Sequence, residues 1–447
     1  MKTRASVNQV ADEMEAPSVA YRASVLYCVD DPRRAGIGAS IRAIEDGLVV
    51  VSNGRIAAVG EAATELRSLP PNCRIRTFAD CILMPGFVDT HVHYVQTGMV
   101  GSYGEQLLDW LERFAFPAEE RFAEPAHARA MADFFLSELL RNGTTTAVVF
   151  GSVHKASADC FFEAASARSL RMVAGKVLMD RHAPEALRDT AASGYDDTKA
   201  LCERWHGQGR LSVAITPRFA PTSSPEQLRS AGELLGQYPG VYLQTHLSEN
   251  RSEVAWVKTL FPKCRDYLAV YEEAGLLGPR SIFAHGIHLS AGELERIAAA
   301  GATLAFCPTS NLFLGSGLFD FAAAQDAGCS VAFGTDVGAG TSFSMFHTMR
   351  AAYETQQLRG RALHPYSAFY SATLGAARAL GLDADIGTFA AGHEADFIVV
   401  DCHATPLLEL RMKQTSSMLE KLFALIALGD DRAVKATYSA GVCVHQR

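Results

Sequence analysis

The chain has 447 residues, 48% of them hydrophobic, which is enough to bury a large core and suggests one big domain with a smaller companion. Its formal net charge of -8 argues against nucleic acid or an anionic membrane as the main partner, because both require surplus Lys and Arg. No stretch approaches the roughly 18 consecutive apolar residues of a membrane helix.

The opening run MKTRASVNQVADEMEAP starts with a little positive charge and then turns polar and acidic, so it predicts no secretory signal. The ten cysteines (Cys28, Cys73, Cys81, Cys160, Cys202, Cys264, Cys307, Cys329, Cys402, Cys443) are scattered, with no C-x-x-C pair. Such spacing reads as reduced, mostly buried thiols, and places the protein in the cytoplasm.

The first clear elements are strands at 48–51 and 55–59, joined through Asn53-Gly54, the dipeptide that supplies the positive φ angles of a type I′ hairpin turn. From there β-rich runs alternate with helical periodicity. Strands are predicted at 81–93, 144–151, 171–180, 211–218, 241–246, 281–285, 303–308 and 330–336. Helices are predicted between them at 125–142, 225–238, 291–300 and 343–357. Ser224 with Pro225 reads as an N-cap and first-turn proline, and Ser290 with Glu293 as a capping box. Eight β-α units over roughly 300 residues fit a (β/α)8 TIM-like barrel. A doubly wound sheet competes, and counting elements does not separate the two. Further β runs follow at 395–401, 437–439 and 442–445, the last two flanking a turn at Ala440-Gly441. The resulting α/β architecture is a barrel over residues 84–389, entered at Pro85-Gly86. A small β-sandwich domain is contributed by both termini, residues 20–83 and 390–447.

The segment Pro85-Gly86-Phe87-Val88-Asp89-Thr90-His91-Val92-His93 ends an apolar β run with two histidines two residues apart. On a strand these face the same way, so both imidazoles can meet one ion. Alone, an H-x-H pair is as readily two core or surface histidines. Three later strands, however, also finish in metal-ligating residues: His246, His285 and Asp336. In a barrel the carboxyl ends of all strands meet on one face, so these residues converge. Such a His and Asp set suits zinc with a water completing the shell. Glu249, three residues past His246, sits in the turn after the strand. That position suits a general acid and base better than a ligand, although a helix N-terminal Glu is favoured by the dipole in any case. His154, His182, His206, His288, His347 and His364 lie in loops or helical stretches and are read as solvated or structural.

H-x-H after the first barrel strand, His after the fifth and sixth, and Asp after the eighth resemble the amidohydrolase superfamily. The stretches PGFVDTHVHYVQ (85–96), YGEQLLDWLERFAFPAEERF (103–122), TPRFAPTSSPEQL (216–228), THLSEN (245–250), FCPTSNLFLGSGLF (306–319) and GTDVGAGTSFSM (334–345) resemble the guanine deaminase family. The resemblance implies a single divalent metal per chain, Zn2+ or alternatively Fe2+, held by His91, His93, His246 and Asp336. It implies proton transfer by Glu249 and Asp336, with His285 beside the reacting centre and Gln96, Arg218 and Phe219 against a purine. It further implies guanine as substrate in purine catabolism or salvage, and a homodimer. The competing expectation is another mononuclear enzyme acting on an aminopyrimidine, triazine or modified purine. Binuclear relatives need a lysine on the fourth strand, and 211–218 offers none. A non-catalytic scaffold is disfavoured because the ligand set is complete.

Overall fold

The computed structural model describes residues 18–104 and 106–447. The reading of the first 17 residues as lacking a secretory signal falls outside the described residues. Strands β1 (Ser18–Cys28), β2 (Ile41–Ser52), β3 (Arg55–Glu61) and β4 (Arg74–Pro85) begin one sheet. Strands β5 (Phe87–His93), β6 (Thr144–Phe150), β7 (Arg171–Gly175), β8 (Val177–Leu178), β9 (Leu211–Pro217), β10 (Tyr242–Leu247), β11 (Ser281–His285), β12 (Thr303–Phe306) and β13 (Ser330–Phe333) form a second. Strands β14 (Phe397–Asp401), β15 (Val434–Ser439) and β16 (Val442–Gln446) return to the first.

The second sheet runs in the order β5-β6-β7-β9-β10-β11-β12-β13 with every pair parallel, and β8 extends against β9. Its last strand comes back to its first. Asp336 N donates to His91 O at 2.8 Å, His93 N donates to Val337 O at 2.9 Å, and Thr90 Oγ1 donates to Phe333 O at 2.9 Å. An open doubly wound sheet would leave those strands apart, so the architecture is the nearly closed, TIM-like barrel. Both β5 and β6 are buried along their whole length, as parallel strands covered on two faces must be. The lower interior is filled from successive strands by Val88, Val148, Val173, Ala214, Tyr242, Ile282, Ala305 and Ala332. Ala376 and Ala377 of the helix Leu374–Ala379 pack beneath them, and Tyr242 Oη donates to Leu380 O at 2.7 Å. The floor is therefore plugged, and the barrel opens only at the carboxyl ends of its strands.

Two predicted strands are each split by a glycine. The run 81–93 divides at Gly86, where a Cβ would stand 2.2 Å from Thr145 Oγ1. β4 stays in the terminal sheet, antiparallel to β14, while β5 enters the barrel. The run 171–180 divides after Gly175, whose Cβ would lie 1.9 Å from Ala214 O. An unbroken apolar run hides such a change of sheet, because the side chains on either side are equally buried. Helices form at Pro125–Arg141, Pro225–Gln237, Ala291–Ala299 and Met345–Leu358. Ser224 Oγ accepts from Gln227 N, and Ser290 and Glu293 make a reciprocal capping box.

The terminal strands make one seven-stranded sheet, β16-β15-β14-β4-β1-β2-β3, that curls until its wings face each other. Tyr21 of β1 packs edge-on against Phe397 and Tyr438, with ring centroids 4.9 and 5.0 Å away. Edge strand β3 reaches the approach to β14, where Ile56 N donates to His393 O at 2.8 Å. Both hairpin turns take positive φ at both central residues: Asn53 51° and Gly54 73°, Ala440 46° and Gly441 78°. Arg171 and Arg210, at the floor of the barrel, ion-pair with Glu394, and Arg210 also with Asp396, fastening the sheet to the closed end.

Gly86→Ala should cost about 1–3 kcal/mol by overpacking against Thr145. Gly38→Ala, where a Cβ meets nothing within 4 Å, should stay within about 0.5 kcal/mol of the parent. Denaturant midpoints of the two variants check this contrast.

Candidate active site

Period-two alternation at the end of β5 turns His91 and His93 to one side, into the open end of the barrel, past a register shift against β6 between Asp89 and Val92. His246 arrives from β10, His285 from the last residue of β11, and Asp336 from the turn after β13. Their donor atoms meet. His91 Nε2 and His93 Nε2 are 3.3 Å apart, and His93 Nε2 is 3.3 Å from His246 Nε2. Asp336 Oδ1 lies 3.2 Å from His91 Nε2 and 3.3 Å from His93 Nε2. The four ligand atoms of His91, His93, His246 and Asp336 all fall within 4.8 Å of one another.

The protonation states suit a cation. His246 Nδ1 lies 2.6 Å from Arg218 O, an oxygen that only accepts, so the proton sits on Nδ1 and the Nε2 lone pair faces the cluster. Burial, and for His246 the neighbouring imidazoles, hold all three ligand histidines below their ordinary range, with His93 pushed down to about 4. Burial alone would raise Asp336, but His91, His93 and His285 beside it hold its carboxyl well below the usual range. Neutral imidazoles and an ionised carboxylate are the forms that bind metal, and crowding them without water is costly unless a cation balances them. The residues therefore fit a single divalent ion. An overlapping group replaces His93 and His246 with His285 and Cys307. It is the poorer set, because burial drives the Cys307 thiol far above its usual range and its Sγ already meets Ala305 O at 3.4 Å.

Glu249 stays outside the ligand group. Its Oε1 accepts from Ser316 Oγ at 3.1 Å and its Oε2 lies 3.3 Å from His285 Nε2. Burial first, and the charge of Asp336 second, push its pKa up to about 8. The turn carrying it is pinned by Glu253, whose Oε2 accepts from Glu249 N and Asn250 N at 2.9 and 3.0 Å and whose Oε1 accepts from Tyr267 Oη at 2.7 Å. His285 has Asn311 Oδ1 2.9 Å from its Nδ1, and its Nε2 is buried with no hydrogen-bond partner. Ser248, His285 and Asp336 all take positive φ (51°, 71° and 51°), a conformation that costs a non-glycine residue about 1–3 kcal/mol. Two of these three residues, His285 and Asp336, line the cleft.

Above these groups is a cleft of about 380 Å³, mouth included, with Gln96, Arg218, Phe219, Glu249, His285 and Asp336 on its walls and Leu107, Trp110 and Leu111 as an apolar cover. Gln96 Nε2 donates to Glu119 Oε1 at 2.8 Å, Gln96 Oε1 accepts from Gly338 N at 3.2 Å, and Arg218 Nη1 donates to Glu119 Oε2 at 2.6 Å. Of the residues expected from sequence, His93, Gln96, Arg218, Phe219, His246, Glu249, His285 and Asp336 line this opening and His91 joins them in the metal group; none of the six set-aside histidines does.

Sequence reasoning missed several residues. Asp89 accepts from His91 N at 3.2 Å and from Thr335 N at 3.0 Å, and bonds Thr335 Oγ1, tying β5 to the segment that carries Asp336. Its place two residues before His91, at the register shift that interrupts β5, left no clue in the alternation of the sequence. Glu119 and Ser316 fall within the family-like stretches 103–122 and 306–319, but nothing in the residue pattern there singles them out.

The chain matches the Amidohydrolase family over residues 82–444. It is 50% identical to the guanine deaminase of Escherichia coli strain K12 over 423 residues, covering 95% of this chain and 96% of that one. The chain belongs to the guanine deaminase family of amidohydrolases. The solved E. coli guanine deaminase superposes with a TM-score of 0.93 at 49% identity, over 96% of this chain and 99% of that one. A guanine deaminase from C. acetobutylicum, solved with bound guanine in its active site, superposes with a TM-score of 0.87 at 28% identity, over 96% and 100%.

For this family member, elemental analysis should find a single divalent ion per chain. His93→Ala should lose the ion and activity together, whereas Glu249→Gln should keep the ion and lose turnover. Loss of metal from Glu249→Gln, or turnover within about tenfold of the parent, would contradict the assignment of Glu249 to proton transfer.

Proposed function

We propose that this protein hydrolyses guanine to xanthine and ammonia, in purine catabolism or salvage. The observation that carries this reading is the meeting, at the barrel mouth, of the His91, His93, His246 and Asp336 group, the buried carboxyl of Glu249 and the held pair Gln96 and Arg218. A divalent ion at His91, His93, His246 and Asp336, read as Zn2+ with Fe2+ as the alternative, would lower the pKa of water for attack at neutral pH. Asp336, kept ionised by the imidazoles around it, takes the proton from the attacking water. Glu249 gives its proton to the ring nitrogen beside carbon 2, takes up a proton from the added hydroxyl and passes it to the departing amine, and the proton on Asp336 then returns to Glu249. The new carbon–oxygen bond replaces the carbon–nitrogen bond, and water supplies the hydrogen that leaves with ammonia. His285, 3.3 Å from Glu249 and 3.8 Å from Asp336, lies between the two proton carriers and orients the reacting centre.

Selectivity follows from hydrogen-bond polarity. Arg218 has only donors and suits oxygen 6 of guanine, where adenine carries an amino group. Gln96 offers both a donor and an acceptor to a second edge, and Phe219 packs on the ring face. Residues 84–389 are read as the catalytic unit, with 20–83 and 390–447 as the small β unit. The protein is further read as a cytoplasmic homodimer; among the described residues no helix is long and apolar enough to cross a membrane.

Ammonia release from guanine should far exceed that from adenine or cytosine. Arg218→Met should lower kcat/KM for guanine at least about a hundredfold with metal retained, since a buried polar contact left unmet discriminates strongly. Normal turnover of guanine by that variant, or faster release from adenine, would overturn the substrate assignment.

A further inference from the structure

We propose that Glu119 is a positioning residue that sets which purine the cleft accepts, by fixing the orientation of Gln96 and Arg218 at once. The inference rests on the reading of the cleft as a guanine site. Glu119 is fully buried, and it comes from the helix Phe116–Glu120, on the same run of chain as the cover residues Leu107, Trp110 and Leu111. Each of its two oxygens takes one hydrogen bond, from Gln96 Nε2 and from Arg218 Nη1. Phe116, one turn earlier, presents its ring 5.3 Å from the Arg218 guanidinium carbon. The helix therefore grips Arg218 by a carboxylate and an aromatic face together.

The chemical consequence lies in what a carboxylate can do. It only accepts, so Gln96 must turn its amide nitrogen to Glu119 and its oxygen the other way, where Gly338 N meets it. The amide cannot flip without losing both contacts. What Gln96 shows the ring is thereby fixed in polarity rather than left to the ligand. Arg218 has five N–H donors, and the bond to Glu119 is the one its side chain makes among the described residues. The anchored guanidinium lines the cleft wall and keeps further donors for a ligand there. A bidentate-capable guanidinium that is anchored at one nitrogen loses little further freedom on meeting an oxo group. Glu119 thus couples the two groups that read the purine edge, without standing on the wall of the cleft itself.

Calorimetric binding to the metal-loaded protein tests this with two ligands that carry no amine to lose. Hypoxanthine keeps the ring oxygen of guanine at position 6, and purine lacks it. Glu119→Gln removes the charge and lets both amides turn over. The dissociation constant for hypoxanthine should rise at least about tenfold, and that for purine less than about threefold, with metal content unchanged. If Glu119→Gln does not fold, Glu119→Asp, whose shorter reach serves one partner only, is judged by the same contrast. An equal rise for both ligands, loss of metal, or no rise for hypoxanthine would overturn the proposal. Because binding is read without turnover, absence of guanine hydrolysis in the parent protein would refute the proposed function separately.

Discussion

The site depends on the seam that closes the barrel. His91 and His93 lie on the first barrel strand and Asp336 follows the last, so three of the four ligand residues come together only when those two pieces of chain lie side by side. Two backbone hydrogen bonds across the seam, from Asp336 N to His91 O and from His93 N to Val337 O, use the peptide groups of the ligand residues themselves. Asp89 adds a second tie by accepting from the peptide and hydroxyl of Thr335. Closure and ligand geometry are therefore one event. Small residues make it possible: a Cβ on Gly334 would lie 2.7 Å from that of His91, and one on Gly338 would lie 2.6 Å from Gln96 O.

Burial then prepares the chemistry. The same exclusion of water that keeps the histidines neutral raises Glu249, while Asp336 stays ionised because imidazoles surround it. Two carboxyl groups facing one cleft are thus pushed in opposite directions, Glu249 up and Asp336 down, as an acid and a base in one reaction need. Their backbone is strained at Ser248, His285 and Asp336, and the strain is held by contacts around it, such as Glu253 under the turn of Glu249. Stability is given up where function is concentrated.

Much of this was legible in the sequence because barrel geometry turns strand ends into a common address. His91 and His93 lie at the end of β5, His246 beside the end of β10, His285 at the end of β11 and Asp336 just after β13, and period two puts the first pair on one side. The hairpin at Asn53-Gly54 was readable from residue type alone, since positive φ at two successive positions demands it. Other features left no local trace. The passage from β4 to β5 is hidden in a continuous apolar run, and only the approach of Thr145 to Gly86 explains it. Separate terminal strands were readable, but their joining into one curled sheet depends on pairing between distant segments. Glu119 lies in a stretch rich in Glu, and its distinction is the burial that tertiary contacts with Gln96 and Arg218 impose.

The central claim is that a metal-assembled site at the barrel mouth adds water to carbon 2 of guanine. Turnover in water enriched in heavy oxygen, followed by mass spectrometry of the purine product, tests it most directly. The account predicts xanthine carrying one solvent-derived oxygen for each ammonia released, with both lost on chelation and restored by a divalent ion. Unlabelled xanthine, ammonia without xanthine, or an undiminished rate in metal-free protein would contradict it.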